Sequence, residues 1–397
     1  MTEFNRFIDD LEVMDVPLHG RKFTWFGPNG QSMSRLDRFL VSDGWTNHWP
    51  HCFQSVLVRD ISDHCPLLLR SVVQNWGPKP FRVLNCWFQH PSFKKFVLDS
   101  WSSFQVQGRG IFVIKEKLKL LKAELKKWNV EVFGNVLATR RNIVKRLQDL
   151  DVVAENVGLS IEETKERQQV QAEFWRIAKL NESLLFQKSR LRWIKEGDMN
   201  TKYFHSIVNW KRKTDSIVGL VMDGSWVEDV TRVKERVKEF FEEKFQNQPF
   251  TRRPRLDGVL FNQIYDEDNR RLCACITLEE IREAVWDCDG NKSLGPDGYN
   301  FKFIKEFWEI LKEDLKGAVE DFWTNRSWPR GSNASFIVLI PKVDSTQGLH
   351  EFRPILLIGC LFKVVAKILA TRLKGVLPKV IDEKQSAFLG GCNMLDG

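Results

Sequence analysis

Ser335-Phe336-Ile337-Val338-Leu339-Ile340-Pro341-Lys342 is an unbroken apolar run, rich in β-branched residues and closed by a proline and a cation. Such a run predicts a strand covered on both faces, the kind found inside a sheet flanked by helices. Helical signals surround it. Upstream, Phe301 to Trp323 carries apolar residues at three-and-four spacing. Thr277-Leu278-Glu279-Glu280 reads as a capping box, which predicts a helix from about Leu278 to Cys288. Between them Gly295-Pro296-Asp297-Gly298 is a turn, and downstream Gly359 to Leu377 predicts a basic amphipathic helix. A strand set among helices gives this end of the chain a mixed, α+β character.

Working toward the N-terminus, residues 247–258 form a linker rich in Pro and Arg, preceded by a predicted amphipathic helix from Val230 to Phe245. Apolar runs flank Met222-Asp223-Gly224-Ser225, and a D-G pair in that setting predicts a tight hairpin. Ile111 to Asp151 and Ser160 to Lys188 have helical periodicity amid many charges. Asn75-Trp76-Gly77-Pro78-Lys79-Pro80 breaks the pattern. Before it come short strand-like runs at Phe23–Phe26, Leu36–Val41, Phe53–Val58 and Pro66–Leu69, with a turn at Gly27-Pro28-Asn29-Gly30. These are too few to close a sandwich, so they are expected to be part of a larger sheet structure. Phe4, Phe7, Ile8 and Leu11 already show amphipathic spacing, as if the chain began inside a domain.

A length of 397 residues suits two or three domains, and 43% hydrophobic residues with 15 tryptophans exclude a disordered or low-complexity chain. Sixty Lys and Arg against 52 Asp and Glu leave a net charge of +8, which suits a polyanion partner. The 8 cysteines contain no C-x-x-C pair, so they are expected to be free thiols in a reducing compartment. His48, His51 and Cys52 are close in sequence but lack the second half of a metal site. No apolar stretch reaches 18 residues and the start is acidic, which predicts an intracellular protein, nuclear or cytoplasmic, neither secreted nor in a membrane.

Ser62-Asp63-His64 lies between two strand-like runs, on a loop where an Asp beside a His can fix the imidazole tautomer and stabilise its cation. Upstream stands Ser34-Arg35-Leu36-Asp37-Arg38-Phe39. Together these segments resemble the C-terminal part of the endonuclease/exonuclease/phosphatase family. The resemblance covers about residues 1–72 and implies that Asp63 and His64 are catalytic, phosphate-contacting residues, with Arg35 and Asp37 supporting the site. Read without the family, Asp63 is a turn residue, His64 a satisfied loop histidine, and Arg35 and Asp37 a surface ion pair. The family uses Mg2+, but the acids that would hold it match nothing before Arg35, so no metal ligand is identifiable in this sequence.

Four further segments occur in order: Gly295-Pro296-Asp297-Gly298, Phe336 to Lys342, Glu351-Phe352-Arg353-Pro354-Ile355 and Gln385-Ser386-Ala387-Phe388. They resemble the fingers region of reverse transcriptases from plant LINE-type, non-LTR retrotransposons, in which a nuclease of the above family precedes the polymerase. The resemblance implies nucleotide-binding roles for Lys342 and Arg353, a point charge and a bidentate fork on rigid backbone. Leu356 and Gly390-Gly391-Cys392 depart from the family pattern. The palm carboxylates of the family match no residue here, and two-metal phosphoryl transfer needs them.

Arg190, Arg192 and Trp193, continuing to Lys211, Arg212 and Lys213, interleave cations with aromatics, a composition suited to phosphate contact and base stacking. The expected fold is therefore α+β, built of a partial β-sandwich nuclease at 1–75, a mainly helical basic connector at 76–258, and a partial fingers subdomain at 259–397. The expected function is a retrotransposon endonuclease and RNA-directed DNA polymerase fragment with incomplete active sites, whose partners are RNA and DNA, retroelement RNA among them. Two other readings stay open: a non-catalytic basic RNA- or DNA-binding protein, and a degenerate retroelement-derived reading frame.

Overall fold

The computed structural model describes residues 2–11, 13–189, 209, 211, 213–246, 263–343 and 345–380. Along the chain run α1 (Thr2–Asp10), β1 (Val13–Asp15), β2 (Leu18–His19), β3 (Trp25–Phe26), β4 (Met33–Ser34), β5 (Leu40–Ser42), α2 (Asp43–His48), β6 (Cys52–Val56) and β7 (Leu67–Ser71). Then come α3 (Phe93–Ser103), α4 (Gly110–Trp128), α5 (Val136–Asn156), α6 (Ile161–Ser189), β8 (Leu220–Met222), β9 (Ser225–Val227) and α7 (Val230–Phe245). The remainder is α8 (Asp266–Cys273), α9 (Leu278–Asp287), α10 (Phe301–Glu306), α11 (Trp308–Asn325), β10 (Ser335–Pro341), β11 (Phe352–Ile358), α12 (Cys360–Lys374) and α13 (Leu377–Val380). Long helices and several small sheets make the fold α+β, as the mixed periodicities require.

Two compact units divide the chain, and each is drawn from separated stretches. The first comprises Met1–Lys79, Asn181–Pro249 and Ile337–Leu356. Its central sheet has the order β2-β6-β7, with β2 parallel to β6 and β6 antiparallel to β7, while β1 pairs with β5 and β3 with β4. Gln54 on β6 is fully buried, and its amide is satisfied on both sides: Nε2 donates to the Val16 carbonyl and Oε1 accepts from the Phe39 amide at 3.1 Å. The predicted D-G hairpin is present as β8-β9. Asp223 and Gly224 take φ of 50° and 77°, the left-handed pair that a two-residue turn of matching twist requires. Leu220 of β8 and Val233 of α7 form a buried cluster with Leu349 and Phe352, so residues near β10 and β11 complete a core begun some 130 positions earlier.

β10 differs from its expectation. It pairs with β11 alone among the described residues, and Phe336, Ile337 and Val338 are exposed rather than covered on both faces. A two-stranded ribbon has no sheet neighbours to roof it, so apolar composition alone overstated its burial.

The second unit comprises Pro80–Leu180, Phe250–Phe336 and Leu357–Gly397. Trp87, Phe93, Trp128, Phe303 and Phe307 pack ring against ring within it. α4 lies against α11, with Lys117 donating to both oxygens of Asp314 at 3.1 and 2.9 Å. The Thr277 capping box forms as predicted, and Glu280 also receives two bonds of 2.8 Å from Arg372, tying α12 to the start of α9. Two predicted helices are interrupted. A π turn at Asn129–Phe133 ends α4, Asn135 then caps α5, and Phe307 separates α10 from α11. The turn at 295–298 also holds more than a turn. Asp297 accepts from the Cys360 amide at 2.5 Å, anchoring the first residue of α12, and burial pushes its carboxyl up.

Candidate nucleic-acid interface

The loop at Ser62–His64 is pinned beside β3. Phe26 N–H donates to the Asp63 carbonyl at 3.0 Å, Cys65 N–H to the Thr24 carbonyl at 2.7 Å, and Trp25 bridges His64 in antiparallel fashion. On the other side Thr24 Oγ1 accepts from the Leu36 and Asp37 amides, both at 3.0 Å, which fixes the segment that follows Arg35. The consequence is a side-chain pair made across 27 positions: His64 Nδ1 lies 2.8 Å from Asp37 Oδ2. The two sequence segments that resembled a nuclease meet at this point.

The partner of the imidazole is therefore Asp37, whereas the sequence suggested its neighbour Asp63. Asp63, on the bend that precedes His64, accepts instead from the Trp25 indole Nε1 at 2.8 Å. Nor do Arg35 and Asp37 form an ion pair. Arg35 donates to Asp15 at 2.6 Å and to the Val16 carbonyl at 2.9 Å, and Arg38 shares the same carboxylate at 3.0 Å. Sequence reasoning did not single out Thr24, Trp25 or Asp15. Their signal lay in strand pairing and in contacts distant along the chain.

Charge is distributed accordingly. The hydrogen bond to Asp37 raises the His64 pKa above 6.5, and Asp37 and Asp63 add attraction for the cation. Burial pulls the Asp37 carboxyl upward, but hydrogen bonds from His64 and Thr24 outweigh it and leave the pKa lowered. The Trp25 indole holds Asp63 low as well. Arg59 and Arg21 lie over the Phe26 ring, 5.1 and 6.0 Å from its centroid. A partly exposed imidazole held toward its cationic form, with two arginines over Phe26 of the strand it bridges, can donate to a phosphate oxygen. His19, by contrast, is buried between Phe53 and Trp226, and desolvation lowers it to about 4, so it stays neutral.

Asp37, Asp63 and Asp15 are each committed to a donor, and among the described residues no three acids, histidines or cysteines converge as ligands. His48, in the short metal-like run with His51 and Cys52, packs edge-on against Trp49. Cys52, Cys65, Cys273, Cys275, Cys288 and Cys360 are free thiols.

Lys342 and Arg353 flank one end of the β10-β11 ribbon. Lys342 N–H donates to the Glu351 carbonyl at 2.8 Å and its Nζ to the His350 carbonyl at 2.8 Å, while Arg353 is exposed two residues beyond Glu351. Glu351 itself pairs with Lys22 at 2.5 Å, which ties the ribbon to the N-terminal part of the same unit. Of the basic segment, Lys211 and Lys213 are described; Arg190, Arg192, Trp193 and Arg212 lie outside the described residues, as does the Gln385–Phe388 motif. Lys213 is half-buried, with Nζ 3.5 Å from Thr46 Oγ1. Among the described residues no helix is long and apolar enough to cross a membrane.

A basic α+β chain with an Asp–His pair at a sheet edge and a cationic ribbon is similar, along nearly its whole length, to a transposon protein. The relative is the Transposon TX1 uncharacterized 149 kDa protein of Xenopus laevis, 25% identical over 382 residues, a match that takes in 92% of this chain and 28% of that protein. The chain thus spans under a third of its relative's length. No family model matches it.

Proposed function

We propose that the chain is part of a LINE-type, non-LTR retrotransposon protein and that it contacts nucleic acid through two cationic places, the edge around His64 and the ribbon bearing Lys342 and Arg353. The similarity to a transposon protein supports the origin. The reading rests above all on the 2.8 Å contact between His64 and Asp37, which joins two segments that each resemble nuclease motifs. The endonuclease and RNA-directed DNA polymerase activities implied by the motif resemblance belong to the proposal for the parent protein. The 397-residue chain itself is proposed to bind without cleaving or copying, because Asp15, Asp37 and Asp63 around the pair are each engaged with a donor and the family's palm carboxylates match none of its residues.

Two assays on the purified chain test this. Fluorescein-labelled 20-mer DNA and RNA are expected to bind with affinity that falls steeply between 50 and 200 mM salt, and replacing Lys342 and Arg353 by Ala should reduce the slope of log affinity against log salt by about 2. Supercoiled plasmid should stay intact with Mg2+ or Mn2+, and a primed template should not be extended. Nicking that disappears in His64→Ala, or extension above the buffer control, sinks the non-catalytic reading; salt-independent binding sinks the interface.

A further inference from the structure

Two indoles stand side by side on the surface of the first unit. Trp45 on α2 and Trp49 at its C-terminal cap are 44% and 45% exposed, with ring centroids 6.5 Å apart and planes tilted by 43°. Trp49 is held by its N–H bond to the Trp45 carbonyl at 2.7 Å and by the edge of His48 at 5.0 Å. Solvent-facing tryptophans this close together mark a surface built to receive something flat or apolar.

The basic segment meets the same helix. Asn209 Nδ2 donates to Asn47 Oδ1 at 2.8 Å and Lys213 Nζ lies 3.5 Å from Thr46 Oγ1; Thr46 and Asn47 are two of the residues between the indoles. Burial lowers the Lys213 pKa, the mark of a partly desolvated ammonium. Lys211 precedes it by two residues. The acid on α2, Asp43, sits in the first turn, at the end away from Trp49. The indole pair exposes on the order of 200 Å² of ring surface. That is well short of the roughly 800 Å² per partner of a stable protein interface. Cations held against the same short helix as two exposed aromatic faces favour a ligand with bases and phosphates.

We propose that Trp45 and Trp49 form a stacking platform for unpaired bases of single-stranded nucleic acid, with Lys211 and Lys213 contacting its phosphates. This rests on the nucleic-acid reading above and narrows it. In a duplex the base faces are already stacked on one another, so the platform discriminates by strandedness, while the cations contribute to both kinds of binding.

The experiment compares fluorescein-labelled dT20 with a 20-base-pair duplex by anisotropy on the full chain. The double variant Trp45→Ala, Trp49→Ala should lose at least tenfold in dT20 affinity and change duplex affinity less than twofold. Trp45→Phe with Trp49→Phe keeps two aromatic faces and should retain most of the dT20 affinity, which separates stacking from damage to the fold. Trp175→Ala, removing a tryptophan that is 55% exposed on α6, should change neither. Equal dT20 binding by wild type and the alanine double variant overturns the platform while leaving the broader reading intact. An equal loss on both probes overturns it too. If the wild-type chain binds neither probe, the nucleic-acid reading fails and the platform with it.

Discussion

His64 and Asp37 stabilise each other's charged forms, and the signs can be followed separately. The raised His64 pKa means that its contribution to stability is fully present below 6.5, the unfolded value, and fades as pH rises through the higher folded value. For Asp37 the pKa is lowered, so its contribution is present above 3.8 and fades as pH falls through the lower folded value. Between those limits the pair is intact, and the imidazole is offered as a cation. An NMR titration of the His64 ring should give a pKa above 6.5, and Asp37→Asn should bring it down toward 6.5 because the carboxylate is the leading cause of the shift. A wild-type value at or below 6.5, or one unmoved in Asp37→Asn, would remove the electrostatic basis of the proposed phosphate contact. The candidate residues at this scale were readable from sequence because motifs are made of residue identities. Which carboxylate serves which cation was not, because Asp63 is adjacent to His64 in sequence yet bonds to Trp25, while Asp37 arrives through the pairing of β3 with its neighbours.

Helix ends and hairpins show how far local chemistry reaches. Thr277 and Glu280 make both bonds of the predicted box, at 3.2 and 3.0 Å, and the D-G turn closes β8 on β9, since each device is complete within four residues. The interruptions at Asn129–Phe133 and Phe307 were invisible because apolar spacing continues across them. There, ring packing of Trp128 on Phe96 and Phe133, and of Phe307 on Phe303, goes with a break that periodicity does not encode. The contact of α4 with α11 was hidden too, and it is asymmetric. A Cβ on Gly110 would come 2.0 Å from the Gly317 carbonyl oxygen, a backbone atom that no rotamer change can move, whereas a Cβ on Gly317 would meet nothing within 4 Å. Gly110→Ala should therefore cost about 3 kcal/mol by forcing the helices apart. Gly317→Ala should be neutral or stabilise by up to about 1 kcal/mol through helix propensity. Urea melts of the two variants check this; equal effects would mean that the helices do not approach as described.

At the scale of the whole molecule, motifs that follow one another in sequence are folded out of order. Residues 337–356 belong to the same compact unit as residues 1–79 and 181–249, so the ribbon carrying Lys342 and Arg353 shares a core with the unit that holds His64. Composition shifts and breaker clusters suggested three consecutive blocks; they carried no information on which stretches share a core, because burial is decided by long-range contacts. Phe352 makes the point testable. It is 4% exposed and packs with Leu220, Val233 and Leu349, while Glu351 beside it pairs with Lys22. Removing its ring leaves a cavity that β11, β8 and α7 all line, and Phe352→Ala should cost about 3 to 5 kcal/mol. The loss should appear as a joint fall in hydrogen-exchange protection at β8, β9 and α7, more than a hundred residues away in sequence, because a cooperative unit opens as one. Protection in α4 and α11, which belong to the other unit, is expected to hold. A fall confined to β10 and β11 would show that the ribbon only rests on the first unit, and that Lys342 and Arg353 are positioned independently of the core beneath them.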